Sequence, residues 1–199
     1  MKNFRLPLTI LACVGLVAII FLQTRCTNDS TPKELTNEQK IARGKYLVTI
    51  ASCNDCHSPK IFTAMGPILD STRLLSGHPA NSPLPKIDTN ALHPGYWVTG
   101  SPDLTAWVGP WGMSFTANLT PDSTTGIGAW SEDAFMGTLR TGHHLGLPGG
   151  RLIMPPMPWA FVGQMTDDDL KSVFAYLKSL PPISNAVPTP ISPADVMKM

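Results

Sequence analysis

The chain has 199 residues and a formal net charge of +1, with 15% of its residues charged. That balance argues against nucleic acid or a strongly acidic partner, and the length suits one domain, with or without a large insertion. Twenty prolines and sixteen glycines, most of them between Pro59 and Pro193, exclude long regular helix over much of the chain and imply turns and loops wrapped around something. A covalent cofactor would supply the cohesion such a chain otherwise lacks.

Lys2 and Arg5 precede an apolar run over residues 6–22, interrupted only by Pro7, Thr9 and Gly15. Its length lies between a signal-peptide core and a spanning helix. The positive charges ahead of it place the N-terminus in the cytoplasm and the rest of the chain outside. No small-residue cleavage site comes after Leu22, so residues 1–26 are expected to be a membrane anchor or signal segment, with an uncleaved anchor favoured. Lipidation at Cys26, or at Cys13 within Ile10-Leu11-Ala12-Cys13, is the alternative. Residues 27–35 read as a linker.

Thr36 and Gln39 have capping-box spacing and predict a helix over 37–52, with Ile41, Tyr46, Leu47, Ile50 and Ala51 on its apolar face. Between 58 and 128 no period persists, because Gly66-Pro67, His78-Pro79, Pro83, Pro85, His93-Pro94-Gly95 and Gly109-Pro110 interrupt every candidate element. Ordered loop with at most one short hairpin is expected there. Ser131 predicts the N-cap of a second helix that Gly142 stops. Thr166 caps a third, whose face is Leu170, Val173, Phe174, Leu177 and Leu180 and which Pro181-Pro182 ends. Residues 183–199 form a proline-rich tail expected to be extended.

The chemistry is concentrated in Cys53-Asn54-Asp55-Cys56-His57, which comes directly after the first predicted helix. Two cysteines three apart reach the two vinyl groups of one porphyrin edge, and the adjacent histidine then lies under the iron. One covalent haem c is the implied cofactor, with Cys53 and Cys56 as attachment points and His57 as iron ligand. The competing meanings are a redox C-x-x-C, which needs a βαβ context, and half a zinc site. His78 and His93, each followed by proline, read as loop residues rather than ligands. For the opposite iron ligand, Met157 in Met154-Pro155-Pro156-Met157-Pro158-Trp159 is favoured, since prolines stiffen that loop. Met154 comes second, and His143 or His144 would instead make a bis-histidine site. Histidine/methionine ligation raises the potential.

Residues 36–188 resemble a class I-type cytochrome c domain. Arg43-Gly44-Lys45-Tyr46-Leu47 and Ala175-Tyr176-Leu177-Lys178 match that family's first and last helices. The resemblance implies a mostly α fold of a few helices around one haem, with Gly44 allowing close approach by Tyr176 and the Pro67 carbonyl accepting a hydrogen bond from His57. A narrower match runs through Asn118-Leu119-Thr120-Pro121-Asp122, Gly126-Ile127-Gly128-Ala129-Trp130 and Arg140-Thr141-Gly142. It is similar to the haem domains of multihaem cytochrome subunits of periplasmic alcohol, gluconate and aldehyde dehydrogenases. That likeness implies that Trp130 and Arg140 lie near the haem, with Arg140 able to pair with a propionate; core packing and a solvated helix residue are the plainer alternatives. Those subunits carry two or three C-x-x-C-H motifs where this chain has one, and residues 69–111 are an insertion in a domain spanning 36–182.

The function expected from these readings is electron transfer, not catalysis. A membrane-tethered monohaem cytochrome c in the periplasm would take electrons from a dehydrogenase or respiratory complex and pass them to an oxidase or soluble cytochrome. A peroxidase-like enzyme or a gas-binding sensor is the alternative if the methionine is displaced.

Overall fold

The computed structural model describes residues 34–199, so the apolar run and most of the linker lie outside the described residues. Among the described residues, no helix is long and apolar enough to cross a membrane.

Helix α1 (Asn37–Ile50) begins as its sequence dictates, with the Gln39 N–H donating to Thr36 Oγ1 and the Thr36 N–H donating to the Gln39 side chain. It stops two residues short of the expected end, because Ser52 adopts a left-handed conformation, φ 55°, that starts a separate turn, α2 (Cys53–His57). Strands β1 (Lys60–Thr63) and β2 (Gly66–Leu69) form an antiparallel hairpin. A 3-10 turn (Thr89–Leu92) leads to a three-stranded meander of β3 (Thr99–Gly100), β4 (Ala106–Gly109) and β5 (Gly112–Phe115). Helix α3 (Glu132–Thr141) is capped by Ser131 and ends at Gly142, φ 71°. The short α4 (Trp159–Val162) precedes α5 (Asp167–Ser179), capped by Thr166, and α6 (Pro193–Val196) closes the chain.

The three long helices share one core. Leu47 and Val48 of α1, Phe135 and Leu139 of α3, and Leu170, Val173, Phe174 and Leu177 of α5 are buried together with Leu75 and Ile127. Phe135 and Phe174 meet with ring centroids 5.2 Å apart. Arg43 and Asp169, paired at 2.9 Å, tie α1 to the first turn of α5. The expected apolar face of α5 is the buried one, with Leu180 partly buried at its edge.

The loop region is more ordered than its composition predicts. Two sheets stand where at most one hairpin was expected, and Ala91, Leu92, Val108, Met113 and Val196 form a second core. The tail belongs to that core rather than extending away: Ile191 pairs with Met113, and Val196 is only 1% exposed. His78 lies in a loop, as expected, and that loop is packed inward. It is buried with its Nδ1–H donating to Thr105 Oγ1 at 2.7 Å, while the Thr105 hydroxyl donates to Asp103 at 2.8 Å. Burial holds the His78 imidazole below its usual range, so it is neutral at pH 7.

Gly44 sets the approach of α1 to α5. A Cβ there would overlap the Ser172 carbonyl oxygen and come within 2.7 Å of Tyr176 Cβ. In an exposed helix, Gly→Ala gains about 1 kcal/mol; against this backbone the sign reverses. Gly44→Ala is expected to destabilise the fold by about 1–3 kcal/mol, measured by guanidinium unfolding; an increase in stability would show that the two helices do not meet at this glycine.

Candidate functional site

Hydrogen bonds on both sides of α2 fix the segment that carries His57. The Ser58 N–H donates to Asn54 O, and the Ser58 hydroxyl donates to the Asn54 side chain at 2.9 Å while accepting the Leu75 N–H at 2.8 Å. The Gly77 N–H donates to His57 O at 2.8 Å. Gly77 has φ 77°, and a Cβ there would come within 2.6 Å of the Ala117 carbonyl carbon and 2.7 Å of the Asn118 nitrogen, so only glycine lets the two segments close on the histidine.

The imidazole is 8% exposed, and its Nδ1 lies 2.8 Å from Ala117 O. A carbonyl oxygen can only accept, so Nδ1 carries the proton and Nε2 keeps its lone pair. Burial pushes the His57 pKa below its ordinary value, with the Ala117 bond opposing in part, so the ring is a neutral nitrogen donor at pH 7. Pro67, the expected acceptor, is instead in β2, cross-strand from Phe62 and exposed. The correction has a simple cause: residues 60–69 turn back on themselves as a hairpin, and the segment after β5 supplies the carbonyl.

Cys53 and Cys56 are free thiols, each partly buried. Burial pushes Cys53 up to about 11 and also raises Cys56, so both are neutral at pH 7. Activated redox or zinc-binding cysteines show the opposite shift. Among the described residues, no group of three or more His, Cys, Asp or Glu side chains is placed to hold a metal ion.

Cys53 and Met157 both lie at the margin of the helical core, partly buried, together with Trp130, Met136 and Trp159. Met154 is also partly buried, Met65 is exposed at the tip of the first hairpin, and Met113 belongs to the second core. Trp130 meets His144 edge-on, ring centroids 5.1 Å apart. His143 donates from Nδ1 to Gly150 O at 3.0 Å. The Arg140 guanidinium reaches Asp167 at 2.6 Å and the Gly163 carbonyl, tying the end of α3 to the start of α5.

These residues fit a haem attached through its edge. Two neutral, partly accessible thiols and a fixed nitrogen donor share one turn, and an apolar margin carries a thioether. The Thr116 hydroxyl, next to Ala117 in the chain, is the buried side-chain oxygen left without a hydrogen-bond partner among the described residues. Sequence reasoning missed Ala117, Gly77 and Thr116. The available signals were the Ser76-Gly77-His78-Pro79 turn and the position of Ala117 just before Asn118-Leu119-Thr120-Pro121-Asp122.

Comparison with known proteins agrees with this geometry. No family model matches the chain. The cytochrome c subunit of the quinone alcohol dehydrogenase of Gluconacetobacter polyoxogenes is 31% identical over 160 residues, covering 77% of this chain and 28% of that subunit. The gluconate 2-dehydrogenase cytochrome c subunit of Pantoea cypripedii is 27% identical over 162 residues, again 28% of its length. The fructose dehydrogenase cytochrome subunit of Gluconobacter japonicus is 26% identical over 177 residues, 89% of this chain and 28% of that subunit. The chain thus spans well under a third of these relatives. Over most of its own length it is a homologue of dehydrogenase cytochrome c subunits, and what it resembles is a cytochrome c-type haem domain.

Proposed function

We propose that this protein is a one-electron carrier holding a single haem c, joined to Cys53 and Cys56 and ligated by His57 and Met157. The observation that carries the reading is the His57–Ala117 hydrogen bond, which fixes a neutral imidazole beside two unpaired, neutral thiols. When bound, the haem iron supplies reversible one-electron redox chemistry.

The chain's own residues do the rest. The Ala117 carbonyl keeps the proton on Nδ1 and enriches Nε2 as a donor. Cys53 and Met157 both pack against the buried helical cluster that includes Leu47, Phe135, Leu139 and Phe174. A methionine thioether favours the reduced state relative to a second histidine, so the carrier is relatively oxidising. Retaining both protein ligands in both oxidation states keeps reorganisation small.

In this reading the apolar run at residues 6–22 tethers the domain to the outer face of the cytoplasmic membrane. A dehydrogenase is the donor, by analogy with the relatives' names, and an oxidase or soluble cytochrome the acceptor. The domain corresponds to one haem-bearing portion of the longer subunits rather than to a catalytic subunit.

Replacing both thiols, Cys53→Ala with Cys56→Ala, is expected to leave no haem on the acid-extracted, denatured chain; retention of covalent haem would refute the attachment. Met157→Ala is expected to lower the midpoint potential by a few tenths of a volt, within the ~0.8 V that axial ligands span, and to abolish the far-red band of methionine-bound ferric haem. An unchanged spectrum would move the ligand elsewhere, with Met154→Ala as the comparison.

A further inference from the structure

Pro155, Pro156 and Pro158 leave the loop around Met157 with few backbone donors. Inside it, the Met157 N–H donates to Met154 O at 3.3 Å and the Trp159 N–H to Met157 O at 2.9 Å. Among the described residues, the hydrogen bond that reaches residues 154–158 from a distant part of the chain comes from β5. The Ser114 hydroxyl donates to Pro155 O at 2.6 Å, across 41 residues.

Ser114 is built for that bond. It is 5% exposed and pairs with Trp107 across the β4–β5 ladder. Trp111 Nε1–H donates to Ser114 Oγ at 3.2 Å. That contact takes an oxygen lone pair and leaves the hydroxyl proton for the Pro155 carbonyl. Three residues further along the same segment, Ala117 O holds His57. One short stretch of chain, anchored in the second core through Met113 and its pairing with Ile191, therefore grips both the histidine and the methionine loop.

We propose that Ser114, supported by Trp111, is a positioning residue for Met157, and that residues 69–115 act as a brace between the two ligand-bearing segments. The proposal rests on His57 and Met157 being the axial pair. Without the Ser114 hydroxyl the loop loses its long-range tether, the detached state of the thioether gains population, and an added ligand competes more easily. An apparent affinity scales with the fraction of protein in the competent state, so that population is directly measurable.

The test uses the purified haem-loaded protein in its ferric form, titrated with imidazole and followed by visible spectroscopy, with the far-red band and midpoint potential recorded alongside. Ser114→Ala is expected to bind imidazole about three- to tenfold more tightly, the factor that one hydrogen bond's net contribution gives, with a weakened far-red band. Ser114→Thr, which keeps the hydroxyl, should restore wild-type behaviour, and Trp111→Phe should shift it in the same direction as alanine but less. Ser172→Ala removes a buried hydroxyl that bonds Asp168 O within α5 and should leave the titration unchanged. If Ser114→Ala titrates like wild type while Met157→Ala binds imidazole freely, the positioning role is overturned and the ligand assignment stands. If Met157→Ala also behaves as wild type, the ligand assignment falls and takes the proposal with it. Equal tightening by Ser172→Ala would reduce the effect to general loosening and overturn the specific role.

Discussion

A single hydrogen bond organises this molecule around its chemistry: the imidazole of His57 donating to the carbonyl of Ala117 at 2.8 Å. The five-residue turn carrying both cysteines and the histidine is far too short to be stable by itself. It holds its shape because His57 is gripped twice, at the ring by Ala117 and at the backbone carbonyl by Gly77. The ring bond also fixes the tautomer, since an acceptor at Nδ1 keeps the proton there and leaves the Nε2 lone pair free. Burial does complementary work on the neighbouring thiols, keeping them protonated and therefore distinct from the thiolates of redox or zinc-binding cysteines.

The region between the first and second long helices shows how a chain rich in proline and glycine can be well ordered. Side chains stand in for missing backbone ladders. Asn185 donates to the carbonyls of Ser76 and His78 and accepts the Ala80 N–H, stitching the tail to the insertion. Asn118 donates to Ile183 O and accepts from Thr120, fastening the stretch after Ala117 to the chain beyond α5. Buried amides that satisfy several backbone groups at once are costly to disturb, so each acts as a rivet where no helix or ladder is available. The second core of Ala91, Leu92, Val108, Met113 and Val196 then gives β5 a firm base. Its continuation delivers Ala117 to His57.

Homology to dehydrogenase cytochrome c subunits fits this division. The motif turn places Cys53 against the helical core, with Met157 partly buried at the same core's edge. Residues 112–117 then carry the two hydrogen bonds that reach His57 and the Met157 loop. With Asp167 and the Gly163 carbonyl within reach, the Arg140 guanidinium ties α3 to α5.

What was readable in the sequence was local. The Thr36–Gln39 capping box, the Ser131 and Thr166 caps, the Gly142 stop and the apolar face of α5 all arise from interactions three or four residues apart, and such spacings leave a pattern in the residue types. The C-x-x-C-H motif is local in the same sense, whereas Gly44 was legible only through the likeness of Arg43-Gly44-Lys45-Tyr46-Leu47 to the first helix of class I-type cytochromes c. The tertiary structure alone decided that Ala117 rather than Pro67 meets His57, that Ser114 tethers the Met157 loop, that His78 is buried, and that Val196 returns to a core. The physical reason is that these contacts either join a side chain to a distant backbone carbonyl or depend on where the chain turns back. Every residue carries a carbonyl, so a partner 60 positions away leaves no mark in the sequence until the fold brings it there.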